Sequence, residues 1–404
     1  MKRTAQIIIA TIFMLTSSLV FARSSNYIPT PSAPILESSS YVLQDNTSGK
    51  TIVAQNADER VEPASLTKMM TVYVVDNEIS AGRLDPNDKV FISEKAWRTG
   101  GSRMFVQVNT HVPVKELLKG VIIQSGNDAS VALAEHVAGS EEAFAELMNH
   151  HAQRLGMKNS HFSNATGLPA ADHYTTANDM AILANVVINE YPESYKLYAE
   201  KTFTYNDIKQ NNRNLLLWRD KSVDGIKTGH TDSAGYCLVA SADRDGMRLN
   251  AIVMGAANDG ARIEQAQRLL NYGFRFFQTK ALLAGDQPLT EARVYSGKTN
   301  LVTAGIPKDV FVTLPQGQIN FLDTEISMEN NLKAPINKGQ QIGTLRVTYN
   351  DDLVVEEPLV ALETVEKGGL FRRLLDSIKL LFKRMFSASS KAITDRISLA
   401  DNSQ

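Results

Sequence analysis

The sequence predicts an α/β (α+β) domain in which an antiparallel sheet is flanked by helices, then a small all-β domain, then a C-terminal amphipathic helix. Three observations carry that reading. Helical patterns and strand pairs share the chain up to about residue 277, and the runs Gly235–Ala242 and Met247–Met254 flank Asp243-Arg244-Asp245-Gly246, a hairpin signal. Short alternating runs such as Val310-Phe311-Val312-Thr313-Leu314 and Ile342–Val347 then recur between turn residues. Last, Phe371, Leu374, Leu375, Ile378, Leu381, Phe382 and Met385 return at helical spacing.

Taken in order, residues 1–22 read as a secretory signal, with Lys2 and Arg3 before the apolar stretch Ile7–Leu15 and Ala22 at the cut. Ser17 and Ser18 interrupt that stretch and leave it short for a membrane span. Residues 23–37, with Pro29, Pro31 and Pro34, form a linker. The expected divisions are then 38–284 for the α/β domain, 285–364 for the all-β domain, 365–386 for the amphipathic helix and 387–404 for a polar tail. Tyr41–Leu43 and Thr51–Val53 flank a turn at Asn46-Thr47-Ser48-Gly49. Helices are expected over Val114–Ile123, Ala129–Val137, Glu142–Leu155, Ala177–Ile188 and Arg262–Phe277, with a long loop from Ser160 to Tyr174. Cys237 is the sole cysteine, so no intramolecular disulfide forms; its strand-like surroundings suit a buried thiol.

Chemistry-bearing residues stand out at three places. In Pro63-Ala64-Ser65-Leu66-Thr67-Lys68 a helix start would put the Lys68 amine beside the Ser65 hydroxyl, since positions three apart share a face. A desolvated lysine can take the proton of a serine nucleophile. Alone, this spacing is weak and better fits an ordinary helix start with a surface lysine, although Lys68 is the only lysine in the chain with a serine three places before it. Between the next two helices, Gln124-Ser125-Gly126-Asn127-Asp128 forms a tight loop able to aim Ser125 and Asn127 into one cleft, or else plain turn chemistry. In Ile226-Lys227-Thr228-Gly229-His230, a strand would offer a cation and a hydroxyl to a carboxylate, with Gly229 allowing close approach; an edge strand with a solvated lysine is the plain alternative.

Other chemistries find little support. The formal charge of −2 argues against nucleic acid as a partner. No His-Glu-x-x-His occurs, and His150 and His151 diverge on a helix, so neither a metal nor another cofactor is expected. Gly49-Lys50-Thr51 and Gly297-Lys298-Thr299 lack the upstream glycine of a phosphate loop. At the C-terminus, Arg372, Arg373, Lys379, Lys383 and Arg384 beside the apolar stripe suit a helix lying on an anionic membrane surface.

Ser-x-x-Lys, Ser-Gly-Asn and Lys-Thr-Gly, in this order, are the motif set of the penicillin-recognising serine enzymes. With Asn212-Arg213-Asn214, Val223–Thr231 and Tyr272–Phe277 added, roughly residues 38 to 386 resemble the low-molecular-mass D-alanyl-D-alanine carboxypeptidases of the type-5 penicillin-binding group. The resemblance implies a β-lactamase/transpeptidase-like catalytic domain, a β domain and an amphipathic anchor, on the periplasmic face of the cytoplasmic membrane. It implies a peptidoglycan stem peptide ending in D-Ala-D-Ala as substrate and β-lactam antibiotics as covalent inhibitors. Residue by residue, it makes Ser65 the nucleophile, Lys68 its base and Ser125 a proton carrier to the leaving D-Ala. Asn127 would orient the peptide amide, Lys227, Thr228 and Gly229 would hold the terminal carboxylate, helped by Arg213, and the N–H groups of Ser65 and His230 would form the oxyanion hole. Partial burial and nearby Lys227 are expected to lower the pKa of Lys68.

Two departures from the family pattern stand out: Trp97–Phe105 looks short for the loop that borders the site, and the tail after Phe386 is extra. Three rival readings share some of these features. A class A β-lactamase would need a deacylating glutamate, and no Glu-x-x-Leu-Asn occurs between Ser160 and Tyr174. An endopeptidase or transpeptidase would use the same acyl-enzyme, and a membrane-bound wall-binding scaffold would leave the motifs idle.

Overall fold

The protein is described from a computed structural model covering residues 30–383. The expected signal segment 1–22 and tail 387–404, together with Arg384, Met385 and Phe386, lie outside the described residues.

A five-stranded antiparallel sheet organises the first part of the chain, in the order Thr51–Gln55, Ser40–Asp45, Met247–Ala256, Gly235–Arg244, Val223–Thr231. Two hairpins far apart in sequence join at its centre, where Leu43 faces Ala251. Successive strand side chains point to opposite faces. Val42, Val239, Ile252 and Met254 therefore pack on one side with the helices between residues 67 and 190, while Leu43, Leu238, Ala251 and Val253 pack on the other with Leu269 and Leu270 of the helix Asp259–Phe276. Both faces are covered, which is why the central strands read as near-continuous apolar runs.

The helix Thr67–Ser80 runs through the larger of these cores, and every residue from Thr67 to Asp76 is buried. Apolar side chains on all its faces fit that position. Each of Met69, Met70, Val72 and Val74 contributes about 1.5–3 kcal/mol by leaving water. This sets the environment of Lys68, which shares the helix.

A separate C-terminal all-β unit follows. Its five-stranded sheet runs Thr290–Arg293, Leu301–Gly305, Asp352–Ala361, Gln341–Tyr349, Leu322–Met328, beside a pair formed by Phe277–Leu283 and Val310–Pro315. Hydroxyls and one carboxylate join it to the first sheet. Thr279 Oγ1 donates to Asp45 Oδ2 at 2.6 Å, and Thr313 Oγ1 lies 2.6 Å from Ser48 Oγ and 2.8 Å from Thr279 Oγ1.

Residues 370–383 are helical. Asp376 and Leu380 are buried, and Asp376 Oδ2 accepts from the Ser296 N–H at 2.7 Å. Leu370, Phe371, Leu374, Leu375, Ile378, Leu381 and Phe382 are exposed. Among the described residues, no helix is long and apolar enough to cross a membrane.

Candidate active site

Pro63 caps a short 3-10 turn, Ala64–Leu66, from which the helix Thr67–Ser80 continues. Ser65 sits in that turn, and Lys68 follows it in the first α-helical turn. Lys68 Nζ lies 2.9 Å from Ser65 Oγ and donates to the carbonyl of Thr166 at 2.5 Å. Thr166 belongs to the loop between the helices Glu141–Leu155 and Ala177–Glu190, and Thr71 Oγ1 donates to the neighbouring Ala165 carbonyl at 2.7 Å. Gly167 lies so close that a Cβ there would sit 1.8 Å from the Ala64 oxygen.

Lys68 is fully buried, and burial pulls its pKa down to about 7; Arg213 adds to the drop and Asp128 opposes it. One part of the sequence expectation is corrected here: burial is complete rather than partial, because the loop covers the amine. Lys227 and Lys68 repel each other's charge, and Arg213 is a further neighbouring cation that the expectation did not include. Arg213 is exposed and donates from Nε to the Gln124 carbonyl at 3.3 Å.

Ser125 is buried between the helices Val114–Ile123 and Asn127–Ala138, with φ at +63°. Such a conformation is strained for a residue with a side chain. Its hydroxyl has no partner among the described residues. Asn127 was expected in the loop but begins the helix. Its N–H donates to Ser102 O and its Nδ2 to Gly100 O, both at 2.7 Å, which leaves Oδ1 buried with no partner among the described residues. A buried acceptor left open in this way favours a ligand N–H.

Lys227, Thr228, Gly229 and His230 lie on Val223–Thr231, an edge strand as the plain alternative had it, yet Lys227 and Thr228 are buried. Burial, with Lys68, Arg213 and Arg262 nearby, pushes the Lys227 pKa well below the usual lysine range. Its Nζ reaches the Thr228 carbonyl at 3.2 Å. The small size of Gly229 has a further cause. A Cβ there would meet Pro63 O at 3.0 Å and Ala64 Cβ at 3.2 Å, so this strand rests on the turn that carries Ser65. His230 is exposed, with its ring centroid 4.0 Å from that of Tyr236.

Three supports were missed in the sequence. Asp128 accepts from the N–H groups of Met104, Phe105 and Val106 at 3.0, 2.9 and 3.2 Å, folding that segment beside Asn127. Arg262 is buried and donates to the carbonyls of Gly229 at 2.9 Å and Cys237 at 3.2 Å. Thr166 acts through its carbonyl, which a sequence does not display. Asp128 had a readable signal, an acidic residue in a helix's first turn beside a polar motif.

The buried amine within hydrogen-bond reach of a serine, the orphaned amide oxygen and the second buried lysine form an arrangement suited to serine acyl transfer. Comparison with known proteins agrees. Residues 28–258 match the family model described as D-alanyl-D-alanine carboxypeptidase, and residues 277–367 match penicillin-binding protein 5, C-terminal domain. D-alanyl-D-alanine carboxypeptidase DacA of Escherichia coli strain K12 is 42% identical over 364 residues, 88% of this chain and 90% of the relative. Penicillin-binding protein 5 from Haemophilus influenzae superposes with a TM-score of 0.81 at 42% identity, covering 83% of this chain and 100% of the other. Penicillin-binding protein D2 from Listeria monocytogenes, solved in an ampicillin-bound form, is 28% identical with a TM-score of 0.56, over 60% of this chain and 100% of the other. With a catalytic-domain match spanning more than half its length, the chain belongs to the D-alanyl-D-alanine carboxypeptidase family, whose members are serine peptidases.

Proposed function

We propose that Ser65 removes the terminal D-alanine from peptidoglycan stem peptides through an acyl-enzyme, and that β-lactams acylate the same oxygen. Lys227 and Thr228 hold the substrate's terminal carboxylate, with Arg213 at the rim. The incoming negative charge favours the proton on Lys227 and so leaves Lys68 neutral. Lys68 Nζ takes the Ser65 proton as Oγ attacks the penultimate D-Ala carbonyl carbon. The N–H groups of Ser65 and His230 receive the oxyanion, and Asn127 Oδ1 accepts the substrate amide N–H. As the scissile C–N bond breaks, Ser125 passes a proton from Lys68 to the departing D-Ala nitrogen, and water then hydrolyses the ester. The observation that carries this reading is the buried Lys68 amine, held near neutral pKa 2.9 Å from Ser65 Oγ.

The test is D-alanine release from a soluble pentapeptide ending in D-Ala-D-Ala, with covalent labelling by fluorescent penicillin alongside. The wild type releases D-alanine and carries the label on the peptide containing Ser65, while Ser65→Ala does neither. Label on another residue, or release by Ser65→Ala, would refute the assignment.

The outward row of Leu370, Phe371, Leu374, Ile378, Leu381 and Phe382, with Arg373 and Lys379 beside it, supports a peripheral seat on an anionic bilayer. With export directed by residues 1–22, the protein works on the periplasmic face of the cytoplasmic membrane. Deleting residues 368–404 is expected to lower binding to phosphatidylglycerol vesicles at least about tenfold and to leave hydrolysis of the soluble pentapeptide intact. Vesicle binding that survives the deletion would place the contact elsewhere.

A further inference from the structure

The loop that covers Lys68 is fastened to the serine-bearing helix by a histidine that the mechanism above does not use. Thr67 Oγ1 lies 2.7 Å from His173 Nε2, and the Ser163 N–H donates to His173 Nδ1 at 3.0 Å. Because Nδ1 accepts, it carries no proton; the proton is on Nε2, which donates to Thr67. The buried ring stands edge-on to Phe162 with centroids 5.9 Å apart. His173 thereby joins both ends of the loop to the residue immediately before Lys68.

We infer that His173 is a positioning residue for the Ser65–Lys68 pair: it clamps the 160–174 loop onto Thr67, and so fixes the Thr166 carbonyl that orients the Lys68 amine and shuts water away from it. The inference rests on the reading of Lys68 as the base. A neutral amine that donates one N–H to a fixed carbonyl has its lone pair directed elsewhere, and Ser65 Oγ is the other atom in reach. The loop also supplies part of the burial that is the main cause of the lowered Lys68 pKa. A loosened loop rehydrates the amine, raises its pKa and shifts the onset of base catalysis to higher pH. The charged groups facing Lys68 are Arg213 and Asp128, with Lys227 close by; those facing His173 are Lys68, His161 and Glu62. Burial, reinforced by His161, holds His173 down at about 4, so it stays neutral while Lys68 titrates.

The experiment is the pH profile of the second-order acylation rate by fluorescent penicillin, with the full chain. His173→Phe keeps the ring against Phe162 and deletes both nitrogens; Thr67→Val removes the hydroxyl partner; His173→Gln keeps a donor toward Thr67. In the Phe and Val variants the acid limb is expected to move up by about one pH unit, with the rate reduced about fivefold near pH 7 and about tenfold at pH 6 and below. The Gln variant should recover most of that loss. An unmoved limb in both, or a uniform loss of rate with the limb in place, would overturn the clamp. Circular dichroism reports folding, and if His173→Phe does not fold, the Thr67→Val profile decides. Failure of the underlying reading looks different: Lys68→Met would then retain acylation with the wild-type limb.

Discussion

Lys68→Met is expected to lose acylation and gain stability. Without its base, Ser65 should react with penicillin about 10³- to 10⁴-fold more slowly. The stability gain follows from the burial that makes Lys68 useful. A fall from the usual 10.5 to about 7 sets an upper bound of about 5 kcal/mol on the cost of burying this lysine. The variant leaves the Thr166 carbonyl without its donor, which returns about 1–3 kcal/mol. A net gain of about 2 kcal/mol at pH 7 is the expected balance. The pH dependence has a fixed sign. Between 7 and 10.5 the unfolded lysine holds a proton that the folded one has lost, so wild-type stability rises across that window. The advantage of the methionine variant is therefore full below pH 7 and fades by about pH 10.5. Denaturation at pH 6, 8 and 10 measures it, and a constant difference would contradict a buried, titrating amine.

Gly167→Ala is expected to disable the protein from a position that carries no chemistry. Its Cβ would fall 1.8 Å from the Ala64 oxygen and 2.4 Å from the Ala64 carbon, with φ at +81°. Both atoms are backbone and adjoin Ser65, so no side-chain rotation relieves the clash. A loss of more than about 3 kcal/mol is expected. In any molecules that fold, displacement of Ser65 by about 1 Å should cost about 100-fold in acylation. Gly139→Ala is the matched comparison, since it shares a positive φ of 80° but has open space around it. That variant should lose only about 1 kcal/mol and acylate normally. Equal behaviour of the two would mean that the loop does not press on the serine turn.

Periodicity made much of this fold legible. The hairpin Gly235–Arg244 with Met247–Ala256, and the helix Val114–Ile123, follow from short-range alternation and apolar spacing. The pairing of Ser40–Asp45 with Met247–Ala256 does not, because nothing local specifies a partner some 200 residues away. At the site, the Ser65–Lys68 spacing announced its own contact, since i and i+3 meet on any helix. The burial of Lys227 on an edge strand was not legible, because it comes from the turn and loops that cover that edge. Nor were the Thr166 and Gly229 carbonyls, which hold Lys68 and Arg262 in place. A sequence spells out side chains, while these contacts are made by backbone that only the folded chain brings near.

The central pairing of Ser40–Asp45 with Met247–Ala256 also dictates timing. The first hairpin must wait for a strand made after the helices between residues 67 and 219, and the strand that carries Lys227 rests on the Ser65 turn only when the sheet is complete. Such non-local closure makes for slow, late assembly, because the loop entropy is lost before the contacts form. A growing chain is therefore inert toward its substrate until residue 256 has emerged, and for all that time the early apolar strand Ser40–Asp45 is a target for chaperones.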